Sequence, residues 1–220
     1  MPNKRNLIFL TGAAATGKTS VMDILKNMYS EKGQEIYTQT SITRDLYAKL
    51  NIALSEKEIQ LLPENEKIEF QMKLLNGYID YTLSKLNSID TDAVIDRFIV
   101  DYLAWTLFVG PSLSKSQYYK IIDRMTYFID ELKLSYNINI CYFPFPTPWA
   151  MDKKDNSSDG FRYDPFGKNL TISYILKAEL EKLSITDLDI SLAEIDFGSP
   201  EERAKEIWDL FVNEEIDRIF

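Results

Sequence analysis

Asn6-Leu-Ile-Phe-Leu-Thr11 encloses a short continuous apolar run. A run of that length without polar alternation predicts a strand buried on both faces, as in a parallel sheet. It ends in a Gly12–Gly17 turn and passes into a helix at about Lys18–Ser30, where Val21, Ile24, Leu25 and Met28 recur at helical spacing. Gly33 closes that helix, and Glu35–Thr40 predicts a second strand. Thr43–Leu50 has a helical pattern. Pro63 then opens a long helical stretch, Glu64–Leu86, with Ile68, Met72, Leu75, Ile79 and Leu83 on related faces.

The second half alternates in the same way. Asp92-Ala-Val-Ile-Asp96 is a brief strand ending in a carboxylate. Helices are expected at about Asp101–Val109 and Lys115–Leu134, separated by Gly110-Pro111. Ile138–Phe143 is a fourth strand, stopped by Pro144, Pro146 and Pro148. Trp149–Lys168 is polar and dense in Asp, Lys, Ser and Gly, which predicts an exposed loop. Long loops inside folded domains often act as lids. Leu170–Leu183 resumes helical spacing, and Ile190–Ile195 is a fifth strand. Ser199-Pro200-Glu201-Glu202 opens the last helix with a serine cap, a proline in the first turn and acids at the positive end of the dipole. Such alternation predicts an α/β fold with a mainly parallel sheet covered by helices on both faces. With no internal repeat and no linker, residues 1–220 are expected to form one domain.

Composition narrows the chemistry more than the fold. The 220 residues contain one cysteine, Cys141, and no histidine. An intrachain disulfide is excluded, histidine cannot serve as general base, and a structural zinc site is not expected. Cys141 lies in an apolar run and reads as a packing residue. The net charge of −9 argues against a broad nucleic-acid-binding face, though not against a local basic groove. The N-terminus starts basic, but its apolar stretch is broken at Thr11 and Gly12. No run approaches the roughly 20 apolar residues that span a bilayer. A soluble, cytoplasmic protein without membrane contact is the expectation.

One motif is specific. Gly12-Ala13-Ala14-Ala15-Thr16-Gly17-Lys18-Thr19, followed by Ser20, fits G-x-x-x-x-G-K-[ST] between a predicted strand and a predicted helix. Glycines let the backbone wrap close to phosphate, and amides at the helix start point at it. Lys18 reaches the outer phosphates, and the Thr19 hydroxyl can ligate Mg²⁺. Residues Gly12 to Ser20 are therefore the candidate nucleotide site. The motif alone does not choose a reaction.

Other residues bear on that choice. Asp96 ends the strand expected beside the first, so it should face the phosphates and hold the Mg²⁺ shell or take an acceptor proton; Arg97 could clamp phosphate or substrate. Arg162, in Asp159-Gly160-Phe161-Arg162 of the long loop, is the candidate for stabilising charge on the transferring group. No Asn-Lys-x-Asp guanine motif is present, and no apolar strand ends in Asp-Glu. Tyr102, Trp105 and Phe108 could offer a stacking surface to a base.

Together the Gly12–Thr19 loop, Val94–Trp105, Pro144–Arg162 and Gly198–Arg203 resemble the small P-loop kinases of nucleosides and nucleotides. The resemblance is strongest to their AAA-domain branch, which includes nicotinamide riboside kinase-like proteins. It implies a five-stranded parallel sheet with the loop-bearing strand central, ATP and Mg²⁺ as donor, and a hinged lid at about 144–168. It also implies Lys18 and Thr19 at phosphate and metal, Asp96 as the acid beside the acceptor, and Arg97 as phosphate or acceptor clamp. Asp101 and Arg44 would contact substrate, Arg162 would be the lid arginine, and Gly198–Arg203 would lie near the adenine. One departure stands out: Thr38–Arg44 lacks the glutamate that many such kinases place before the arginine.

The leading expectation is ATP-dependent phosphoryl transfer to a small nucleoside-, nucleotide- or nicotinamide riboside-like acceptor. Two alternatives remain at this level. One is a kinase acting on DNA, at a modified base or strand end, and the other a nucleotide-binding regulatory ATPase without a small-molecule acceptor. Homodimers are common among symmetric soluble assemblies, and a homodimer is compatible with this chain.

Overall fold

Leu7 and Phe9 face one side of the first strand and Ile8 and Leu10 the other, and all four are fully buried. A strand without a wet face must be covered by helices on both sides. The computed structural model describes residues 4–13, 16–40, 42–50, 56–109, 113–144, 166–186, 189–195 and 198–213. Its strands are β1 (Arg5–Gly12), β2 (Ile36–Gln39), β3 (Asp92–Asp96), β4 (Tyr136–Phe143) and β5 (Ile190–Glu194). They form one parallel sheet in the order β2-β3-β1-β4-β5, with β1 central as expected.

The helices are α1 (Lys18–Glu31), α2 (Ile42–Lys49), α3 (Glu56–Leu61), α4 (Glu64–Leu86), α5 (Ile99–Val109), α6 (Lys115–Lys133), α7 (Phe166–Thr186) and α8 (Pro200–Phe211). Residues of α1 and α8 pack with Ile8 and Leu10; residues of α2 and α4 to α7 pack with Leu7 and Phe9. The direction of travel across the sheet explains this division. The chain moves one way from β1 to β2 and the other way thereafter, so right-handed crossovers place α1 opposite the later connections. Neighbouring strands β1 and β3 thus send their following helices to opposite faces. A crevice opens at their carboxyl ends, which is where open α/β sheets bind ligands.

One element and several boundaries differ from the sequence pattern; α5, for instance, begins two residues early, at Ile99. Helix α3 was not expected, because six residues with Ile59 buried and Leu61 exposed show no period. Strand β4 begins two residues early, at Tyr136, whose hydroxyl donates to Leu86 O. Helix α7 begins at Phe166, inside the stretch expected to be loop. The rest of the expected lid from 145, with Arg162, lies outside the described residues. Cys141 is buried in β4, and burial pushes its thiol well up, as befits a packing residue. Among the described residues no helix is long and apolar enough to cross a membrane.

Candidate active site

The turn after β1 is built for close approach. Gly12 has φ 147°, and a Cβ there would lie 2.6 Å from the Phe143 carbonyl oxygen on β4. Gly17, the N-cap of α1, is left-handed at φ 84° and offers no side chain to cap the helix. The first amides of α1 therefore meet no side-chain acceptor from the cap, and no acidic residue lies in that turn. Lys18 folds back over the loop. Its ammonium donates to Gly12 O at 2.9 Å, Ala13 O at 2.8 Å and the Thr16 hydroxyl at 3.1 Å. Thr16 itself donates to Ala13 O. Thr19 is exposed one residue on, and Ser20 is half-buried. Ala14 and Ala15 lie outside the described residues.

Across the crevice, β3 ends beside this loop, with Asp96 in register with Leu10. Arg97 then turns the chain with φ 78°, the one positive φ at a non-glycine among the described residues. Both of its peptide groups are tied. Its amide donates to Leu10 O at 2.9 Å, and its carbonyl accepts from the buried Tyr78 hydroxyl at 2.9 Å. A strained residue so constrained at a strand end marks a position whose side-chain direction matters. That side chain pairs with Asp101 on α5, Nη1 to Oδ1 at 3.8 Å.

Asp101 joins the two halves of the crevice. Its Oδ2 accepts from the Thr11 hydroxyl at 2.5 Å and from the Phe98 amide at 2.9 Å. Burial pushes its carboxyl above the ordinary range. Arg97, Thr11, Lys18 and the Phe98 amide all oppose that rise, so the Lys18 charge acts at this distance. Arg97 is the converse: burial lowers it, but the Asp101 and Asp96 carboxylates outweigh burial and hold it raised. Asp96 Oδ1 is buried without a hydrogen-bond partner. The unpartnered Asp96 oxygen and the exposed Thr19 hydroxyl are both hard oxygen ligands, and the amides at the start of α1 suit the phosphates that would share the ion. Mg²⁺ shared with phosphates needs only one or two such protein ligands. The residues fit the ion.

The structure thus brings Lys18, Asp96, Arg97 and Asp101 to one crevice. Arg44 lies on α2, beside Thr43, whose hydroxyl hydrogen-bonds that of Tyr102 at 3.1 Å. Tyr102 is buried, whereas Trp105 and Phe108 are half-buried and pack edge to face at 5.9 Å. Arg203 does not stay within the terminal turn: it reaches the loop and donates to Thr16 O at 2.8 Å. Sequence reasoning passed over Thr11 and Tyr78, which carry no local signal. It also passed over the contact of Arg203, which did leave a trace: Arg203 shares the buried stripe of α8 with Ala204, Ile207 and Trp208.

Two solved structures share this architecture. Thymidylate kinase from Candida albicans matches with a TM-score of 0.58 at 13% identity, over 94% of this chain and 91% of that one. The NadR protein in complex with NR matches with a TM-score of 0.64 at 14% identity, over 98% of this chain. The chain has the fold of these two proteins, an α/β fold around a five-stranded parallel sheet. This chain spans about half of the NadR protein, 54%. No protein-family model matches the sequence, and no curated protein does either. At such identity the likeness establishes the fold, and function rests on the residues of the site.

Proposed function

We propose that this chain, acting as one domain in the cytoplasm, transfers the terminal phosphoryl group of ATP to a hydroxyl of a small nucleoside-, nucleotide- or nicotinamide riboside-like acceptor. The observation that carries the reading is the facing of a phosphate loop and an Asp96-Arg97-Asp101 turn across the β1/β3 crevice. The loop amides and Lys18 hold the donor phosphates, with Lys18 exchanging its carbonyl contacts for phosphate oxygens. Thr19 and Asp96 would hold Mg²⁺, which would supply charge neutralisation on the donor phosphates. Asp96 also takes the proton of the acceptor hydroxyl. Arg97, aimed by Asp101, clamps the acceptor or the transferring group. Arg44 on α2 contacts the acceptor, and Arg162 closes over the phosphates to exclude water. The fold of the two matched structures, one a thymidylate kinase and one complexed with NR, supports an acceptor of this class.

The test is incubation with Mg²⁺-ATP and a panel of nucleosides, nucleoside monophosphates, nicotinamide riboside, and plain and base-modified DNA. ADP release and acceptor mass are followed. One acceptor should gain a single phosphate, and Lys18→Ala should lower that turnover at least about 100-fold, the scale of losing one transition-state charge contact. ADP release that no acceptor changes would replace this reading with a regulatory ATPase, and phosphate gained only by DNA would replace it with a polymer kinase.

A further inference from the structure

Arg203 is an arginine only 1% exposed, 187 positions along the chain from the loop atom it contacts. Its Nη1 donates to Thr16 O at 2.8 Å, and its guanidinium lies 5.3 Å from the centroid of the Phe143 ring. Phe143 is also the residue whose carbonyl abuts Gly12. The two ends of the phosphate loop thus rest on one corner, Phe143 against Gly12 and Arg203 against Thr16. The base of Arg203 is equally fixed. Ser199 and Glu202 form a reciprocal capping box at the start of α8, and the Arg203 amide donates to Ser199 O.

A trans peptide is planar, so the Thr16 carbonyl and the Gly17 N–H point in opposite directions. A carbonyl drawn back toward Arg203 sends that N–H forward. We propose that Arg203 is a positioning residue for the phosphate loop, turning the Thr16–Gly17 peptide so that the Gly17 N–H faces the bound polyphosphate. A neutral donor could satisfy the carbonyl alone. Burying a guanidinium behind an anion-binding loop is costly, and it adds a fixed positive charge where a polyanion must sit. This inference rests on the phosphate-loop reading of residues 12–19, and not on the identity of the acceptor.

Isothermal titration of the full chain with Mg²⁺-ATP and with inorganic tripolyphosphate tests it, in wild type, Arg203→Met and Arg203→Lys. The methionine keeps an apolar stem without charge or donor; the lysine keeps the charge without the planar fork. Arg203→Met should weaken both ligands at least tenfold and by the same factor, with Arg203→Lys between it and wild type. Unchanged affinity in folded Arg203→Met would overturn the proposal. So would weaker ATP binding with tripolyphosphate unaffected, which would place Arg203 at the base instead. A second readout does not depend on the methionine variant folding. The Gly17 amide proton should move downfield when wild type takes up tripolyphosphate, and by less than half as much in Arg203→Lys; equal shifts would also sink the idea. Wild type that binds neither ligand would overturn the phosphate-loop reading itself, and this inference with it.

Discussion

Arg97 holds the most informative backbone angle in the molecule. A left-handed conformation costs a residue with a Cβ roughly 1–2 kcal/mol. Here it persists because Leu10 O and the Tyr78 hydroxyl hold the peptide on either side. The strain is balanced against what the side chain does, which is to face Asp101, itself 2% exposed. Glycine would relieve the strain but strip a buried carboxylate of its cation, and breaking a buried pair usually costs about 3–5 kcal/mol. This pair is long at 3.8 Å and its arginine side chain is 29% exposed, so a smaller loss applies. Arg97→Gly should lose roughly 1–2 kcal/mol in urea unfolding. Adding Asp101→Asn should recover at least about half of that loss, because the uncompensated charge is gone. Both variants should be inactive. Additive destabilisation in the double variant would show that Asp101 does not depend on Arg97 for its charge balance.

At the scale of elements, the position of α2 is set by a missing side chain on α4. Gly77 sits mid-helix, where glycine costs about 1 kcal/mol against alanine. A Cβ there would meet Leu46 Cδ2 at 3.2 Å and Leu50 Cδ1 at 3.4 Å. The gap lets α2 lie close on α4, with Ile42 and Leu46 buried, and brings Thr43 to Tyr102 and Tyr47 within reach of the Arg97 charge. Gly77→Val should wedge the two helices apart and destabilise the fold by about 1–3 kcal/mol, the usual range for overpacking. Acceptor KM should rise several-fold while ATP affinity stays within twofold; a parallel loss of ATP affinity would mean that α2 does not serve the acceptor side. Periodicity recovered the strands and every described helix except α3, because Leu7–Leu10, Val94 and Ile95, and Ile68, Leu75, Ile79 and Leu86 of α4 bury their apolar positions as the pattern demands. It could not see Gly77, which looks like a blemish in a helix until α2 is placed on it. Nor could it see Tyr78 reaching Arg97 O or Arg203 reaching Thr16 O, since those pairs exist only once the sheet has assembled. The loop motif was legible because phosphate binding demands particular residues at adjacent positions.

The molecule as a whole carries a net charge of −9, yet its candidate site suits a polyanion. The two facts are compatible because they act over different distances. Net charge repels at long range and is screened within about 8 Å at physiological ionic strength. On the proposed reading the Gly17 and α1 amides and Lys18 act at contact, with Arg203 behind the loop, in a crevice walled by β1 and β3. Ligand uptake should therefore stabilise the whole fold without needing low salt. A ligand bound only by the native state adds about 2.7 kcal/mol at 100 times its Kd, and a chain of this size shifts its Tm by roughly 2–4 °C per kcal/mol. Mg²⁺-ATP at that excess should raise Tm by about 5–10 °C in differential scanning calorimetry. Lys18→Ala should lose most of that rise at the same ATP concentration, measured from its own unliganded Tm, which should fall by a few degrees as the Gly12 and Ala13 carbonyls lose their donor. A shift that vanishes between about 0.05 and 0.3 M salt would point instead to diffuse surface attraction, the regime of polymer binding, whose affinity falls steeply over that range. A shift that survives the salt and depends on Lys18 would locate the stabilisation in the contact geometry of the loop, where the short-range donors outweigh the charge of the chain.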